Sequence, residues 1–202
     1  MKKQKRNKIV LGLTGSFGSG KTTVAGILKS YGAKIIDADR IAHTIIKPGS
    51  ASYKKIIRIF GSAILNKDKS INRHNLGQIV FNNRALLVKL NSIVHPEVIR
   101  IIKDELRRAR EGIVVIDAPL LIESGLNKLT HKLIVVKINR LKQLKRLQKK
   151  LGLNKRDIQL RINCQLPLED KVRMADFVID NNKTISETKK QVAQIRRKLW
   201  RS

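Results

Sequence analysis

The stretch Gly15-Ser16-Phe17-Gly18-Ser19-Gly20-Lys21-Thr22 decides the fold. Three glycines in one turn, then a lysine and a hydroxyl, match the G-x-x-x-x-G-K-T pattern of a phosphate-binding loop. The spacing has a physical reason. Gly15, Gly18 and Gly20 let the backbone wrap a phosphate without Cβ clashes. The N–H groups that a helix N-terminus leaves unpaired then point at the anion. Lys21 brings a point charge to the outer phosphates, and the Thr22 hydroxyl is suited to Mg²⁺. The flanks agree. Residues 8–14 read as a buried strand, and Val24, Ile27, Leu28 and Tyr31 recur at helical spacing up to a stop at Gly32.

Further along, residues 33–37, 113–117, 132–138 and 175–180 read as four more strands. They are β-branched and apolar without clean alternation, as expected of strands covered on both faces. Helical stretches separate them, which predicts right-handed crossovers and a parallel sheet. The fold class expected is α/β: a three-layer P-loop NTPase fold with a five-stranded parallel sheet, a helical substrate-binding insertion and a lid. The core takes residues 8–40, 112–140 and 172–202. The insertion takes 41–111, which is too long for one crossover helix. The lid takes 141–171. Within it, residues 141–162 read as a helix with Leu141, Leu144, Leu147 and Leu151 on one face and Lys and Arg on the other.

Composition narrows the class. The 202 residues are 42% apolar, enough for an ordinary core, but 3% aromatic, so that core must be mostly aliphatic. Cys164 is the one cysteine, which excludes an internal disulfide and a multi-cysteine zinc site. No apolar run reaches membrane-spanning length. The basic start, residues 1–7, leads into an apolar run that is broken by Gly12, Thr14 and Gly15, so it reads as a tail before the first strand rather than an export signal. The expected compartment is the cytoplasm. The net charge of +29 has two readings, a polyanionic partner or compositional drift. Basic residues run the whole length of the chain, and no obligate nucleic-acid partner is expected. The chain is read as a monomer, with an oligomer as the open alternative.

Ligands of open parallel sheets bind beyond the carboxyl ends of the strands. Asp37 and Asp39 follow strand two, and Asp117 closes strand three, so all three are expected around the loop. Asp117 ends an apolar run suited to holding Mg²⁺. Asp39 is placed to accept the proton of an acceptor hydroxyl. All three also have a plain reading as helix caps, the apolar helix after Asp39 being a good candidate. In the lid, Arg146 and Arg161 are placed to close over a transferring phosphoryl group, and closure would exclude water. Asn154-Lys155-Arg156-Asp157 matches the guanine-recognition pattern N-K-x-D but follows no strand. Residues 117–120, Asp-Ala-Pro-Leu, lack the D-x-x-G switch of GTPases. His43, His74 and His131 have no metal-ligand spacing. His95-Pro96 reads as a helix boundary or a substrate contact, Glu123 as a surface charge, and Trp200 as a packing anchor.

Taken in order, GLTGSFGSGKTTVA, IDADRIAH, HPEV, DAPLLIES, QLKRL, RINCQLPLEDK and ADFVIDNN make the chain resemble the dephospho-CoA kinase family over nearly its whole length. The resemblance implies ATP-dependent phosphorylation of the ribose 3′-hydroxyl of dephospho-CoA, with Mg²⁺ as cofactor. It implies that Gly18, Ser19, Gly20, Lys21, Thr22 and Thr23 bind the ATP phosphates and that Asn181 and Asn182 lie by the adenine. Asp39 matches the catalytic base and Arg146 the lid arginine. His95, Leu120, Glu123 and Arg161 fall on the substrate side, and Thr22 and Asp117 on the metal. Phe17, Lys150 and Lys183 depart from the family pattern. The rivals are a nucleoside monophosphate kinase, a nucleic-acid-binding ATPase and a P-loop protein kept for binding alone.

Overall fold

Ile9–Gly15 forms β1, buried in all but its first residue. Side chains alternate across it. Leu11 and Leu13 join a cluster with Val24, Leu28, Val115, Ile134, Val136, Val192 and Ile195. Val10 and Gly12 face the other side. A Cβ on Gly12 would come within 2.7 Å of Leu121 Cδ2, so Leu121 packs on bare backbone there. The computed structural model describes residues 8–152 and 154–199. The expected N-terminal tail and the Trp200 anchor lie outside the described residues.

Four further strands complete the sheet: β2 (Lys34–Asp37), β3 (Ile113–Asp117), β4 (Lys132–Lys137) and β5 (Phe177–Asp180). Their order is β2-β3-β1-β4-β5, and β1 pairs in parallel with both β3 and β4. The chain therefore leaves β1 to one side first and to the other side later. That reversal opens a crevice at the carboxyl end of β1, where ligands of such sheets bind. The helices are α1 (Lys21–Ser30), α2 (Ala38–Ile45), α3 (Ala51–Phe60), α4 (Arg73–Phe81), α5 (Arg84–Arg108), α6 (Arg140–Leu151), α7 (Lys155–Asn163), α8 (Leu168–Arg173) and α9 (Ile185–Leu199). Helices α1 and α9 cover one face of the sheet and α8 packs on β4.

The described residues fall into two compact units. One runs to Ile36 and resumes at Leu106; the other is Asp37–Glu105. The second is helical and has its own core of Ile56, Ile64, Ile71, Leu76 and Val80, joined by Leu86, Leu87, Leu90, Ile93 and Val94 of α5. Ser50 and Asn72 cap α3 and α4 with their side-chain oxygens.

Three local expectations change. His95-Pro96 is no helix boundary: Pro96 lies inside α5. A proline there removes one helical hydrogen bond, at a cost of about 3 kcal/mol, and the apolar contacts of the first half of α5 offset it. The segment 141–162 is two helices, not one. Gly152 ends α6 in the left-handed conformation (φ 62°), and Asn154 caps α7 by accepting the Asp157 N–H at 2.8 Å. That cap is what the N-K-x-D match amounts to. Of the four leucines only Leu147 is buried, while Leu141 is 70% exposed. The buried face of α6 instead carries Gln143.

Asp176, just before β5, ties the sheet together. It accepts from Lys132 Nζ and from the Leu133 N–H, both at 2.8 Å. The hydrogen bond from Lys132 holds its carboxyl below the usual 3.8, outweighing slight burial, and the Leu133 N–H adds to the effect. A carboxylate with a lowered folded value contributes stability above its unfolded value and loses it as pH falls through the folded one. The Asp176→Asn protein should therefore show a shallower loss of stability than the parent as pH falls below about 4. Urea midpoints across that range measure it, and equal slopes would refute it.

Candidate active site

The loop from Gly15 to Gly20 is built to receive an anion. Gly20 sits at the N-cap of α1 at φ 93°, no side chain caps the helix, and its first turn holds no acidic residue. The helix amides and the positive end of its dipole are thus left for a ligand. Gly18 also has positive φ, and a Cβ there would strike Leu147 of α6. Lys21 Nζ pairs with Asp117 Oδ1 at 2.9 Å, with 14% and 12% of the two side chains exposed. Asp117 lies opposite Leu13 in the β1–β3 register, two residues before the glycine loop. Thr22 and Thr23 are exposed on the first turn of α1.

Residues distant in sequence hold this loop. Asn181, after β5, donates Nδ2 to the Ser19 carbonyl at 2.7 Å and accepts the Thr188 hydroxyl at 3.0 Å. Its side chain is buried in support of the loop. Asn182 donates to Asp180 Oδ1 and accepts the Asn139 N–H, which ties the end of β5 to the start of α6. Gln143 donates to the Ser16 hydroxyl at 3.1 Å and the Phe17 carbonyl at 2.5 Å, and Gln165 accepts the Phe17 N–H at 2.9 Å. The Arg161 guanidinium stands over the Phe17 ring, 5.6 Å from its centroid. Arg146 belongs to the same neighbourhood, since a Cβ on Gly20 would lie 3.1 Å from its Nη1.

Glu123 is not a loose surface charge. Its Oε1 accepts from Lys171 Nζ at 2.8 Å and from the Leu166 N–H at 2.9 Å. Lys171 has no exposed surface and also donates to the Pro119 carbonyl at 2.7 Å. Desolvation pushes its ammonium below the usual 10.5; the Glu123 hydrogen bond and charge resist, and the Lys21 cation adds to the lowering. Leu120 is half-buried, and its carbonyl accepts the Ser124 N–H. His131 Nδ1 accepts the Val10 N–H and so holds the start of the central strand β1.

The first unit thus gathers Gly18, Ser19, Gly20, Lys21, Asp117, Arg146, Arg161 and Asn181 around one loop. Asp39 and His95 belong to the second unit. Asp39 is exposed in the first turn of α2 and does not cap it. Asp37 does, accepting the Arg40 N–H at 2.9 Å. His95 lies half-buried in the middle of α5. Sequence reasoning gave no role to Gln143, Gln165 or Lys171. Nothing in a pattern of lysines marks the buried one, because lysine is among the residues least often buried.

A loop of this construction at the carboxyl end of the central strand of such a sheet defines a P-loop nucleotide-binding protein of the small-kinase class. The chain belongs to the dephospho-CoA kinase family: the family model described as dephospho-CoA kinase matches residues 9–187. A dephospho-CoA kinase of Carboxydothermus hydrogenoformans is 45% identical over 195 residues, covering 95% of this chain and 94% of that one. Among solved structures, dephospho-CoA kinase from Campylobacter jejuni superposes with a TM-score of 0.67 at 30% identity, covering 95% of this chain and 97% of the other. TT1252 from Thermus thermophilus reaches a TM-score of 0.80 at 28% identity, covering 96% and 99%.

Proposed function

We propose that this chain transfers the γ-phosphoryl group of ATP to the ribose 3′-hydroxyl of dephospho-CoA, giving coenzyme A. The observation that carries the reading is the uncapped glycine loop with Lys21 and Asp117 beside it, in a chain of this family. The loop amides and Lys21 hold the β- and γ-phosphates. Arg146 neutralises charge as it develops on the transferring group. Asp39 orients the acceptor hydroxyl and accepts its proton. Most of the rate then comes from positioning and charge stabilisation. The Asp37–Glu105 unit takes the acceptor, together with Leu120, Glu123 and Arg161, and residues 141–171 act as the lid.

The oxygen donors present suit Mg²⁺, which takes one or two carboxylates or hydroxyls alongside substrate phosphates. Thr22 and Asp117 would hold it, and it would shield the phosphate charge. Lys21 and Asp117 each form half of a pair that nucleotide and metal would replace. Asn181 supports the nucleotide from behind the loop, and Asn182 sets the edge against which the adenine rests.

No helix among the described residues is long and apolar enough to cross a membrane. We read the chain as a cytoplasmic enzyme that works as a monomer on a small-molecule acceptor. Purified protein with Mg²⁺-ATP should convert dephospho-CoA to coenzyme A and leave nucleosides and nucleoside monophosphates unchanged. Turnover of a nucleotide in preference to dephospho-CoA would overturn the reading. Arg146→Ala should lower kcat by about 100-fold, the cost of one well-placed donor to a charged transition state. The exposed position of Arg146 predicts an unchanged melting temperature.

A further inference from the structure

The Glu123–Lys171 pair raises a physical question that packing alone leaves unanswered. A buried ion pair is a poor way to stabilise a core, since well-packed apolar residues of similar volume often do better. Here the pair lies at the centre of a chain of contacts that begins and ends on the phosphate loop. Thr14, at the end of β1, donates its hydroxyl to the Pro119 carbonyl at 3.2 Å. Lys171 donates to the same carbonyl and to Glu123. Glu123 accepts the Leu166 N–H, and the preceding residue, Gln165, accepts the N–H of Phe17 in the loop. Asp117, two residues before Pro119, holds Lys21.

We infer that Lys171 is a positioning residue for phosphoryl transfer: it ties the segment after β3, the glycine loop and the end of the 141–171 segment into one rigid frame. Two acceptors of the segment after β3, the Pro119 carbonyl and the Glu123 carboxylate, converge on a single ammonium with no exposed surface, and each is in turn bonded to a neighbour of the glycine loop or of the 141–171 segment. An apolar side chain could fill the space, but it could not hold the Pro119 carbonyl and the Glu123 carboxylate in fixed directions. Glu123 Oε2 is buried and has no hydrogen-bond partner among the described residues. In a site made only for stability such an oxygen is a cost. The Lys21 charge is felt at Lys171, where it adds to the lowering that burial imposes on the ammonium.

The inference rests on the proposed kinase reading, and two variants test it. In Lys171→Met the Glu123 carboxylate loses its cation, so both folding and activity should suffer. Lys171→Met with Glu123→Gln removes both charges and should melt within a few degrees of the parent. Glu123→Gln alone, which keeps the ammonium, is the reference: if Lys171 positions the site, the double variant regains stability but turns over dephospho-CoA about 100-fold more slowly than that reference, the cost of a small misplacement of reacting groups. Its KM for ATP should stay within about twofold, because the loop amides and Lys21 remain. Recovery of kcat in the double variant to within about threefold of the reference would overturn the inference, as would an unchanged kcat in Lys171→Met. The parent protein is assayed in parallel. If it ignores dephospho-CoA, the acceptor reading fails, and the same comparison is made on the ATPase rate of parent and variants.

Discussion

Replacing Lys21 with alanine should lower the rate of phosphoryl transfer by about 1,000-fold or more, the upper range for losing one preorganised charge on the transferring group. The same change should also destabilise the protein. Lys21 and Asp117 are both mostly buried and lie 2.9 Å apart. Without the ammonium, Asp117 is left as a largely buried carboxylate with no cation, at a cost of about 2 kcal/mol. Lys21→Met combined with Asp117→Asn should restore most of that stability and none of the activity. Thermal melts and a coupled kinase assay on the parent and the two variants separate the two effects. If Lys21→Ala melts with the parent, the ion pair contributes nothing to stability.

Asp39→Asn should lower kcat by about 100- to 10,000-fold, the range associated with a general base. It should leave the KM for ATP and the melting temperature unchanged. The stability half of the prediction comes from the structure, because Asp39 is exposed and Asp37 is the residue that caps α2. Asp37→Ala should behave in the opposite way, losing about 1 kcal/mol of stability through the missing cap. An Asp39→Asn enzyme with normal turnover of dephospho-CoA would remove Asp39 from the mechanism.

The adjacent pair Asp37 and Asp39 illustrates how far local sequence reaches. Both carboxylates were legible as following strand two, and either could have capped the next helix. Which one does so depends on where β2 ends and α2 begins, a matter of one or two residues that pairing in the sheet decides. The 141–162 segment is a similar case. Its leucines suggested one amphipathic helix. Gly152 and Asn154 supplied a stop and a cap, and the side chain that the loop required on the buried face was Gln143. His95-Pro96 misled in the other direction, because proline disfavours a helix locally and the packing of α5 overrides that preference.

What the sequence determined by itself was whatever depends on short-range geometry: the glycine loop, its lysine and hydroxyl, the buried strands around it, and the order of segments that marks the family. A phosphate loop needs its residues in consecutive positions, so they can be read in consecutive positions. Only the tertiary structure decided which distant side chains hold that loop. Asn181, Gln143 and Gln165 meet it from segments more than 120 residues further along the chain, and the buried Lys171 fastens the segment after β3 beside it. Burial of a charge or an amide depends on every element that closes over it, and no local pattern of residues carries that information.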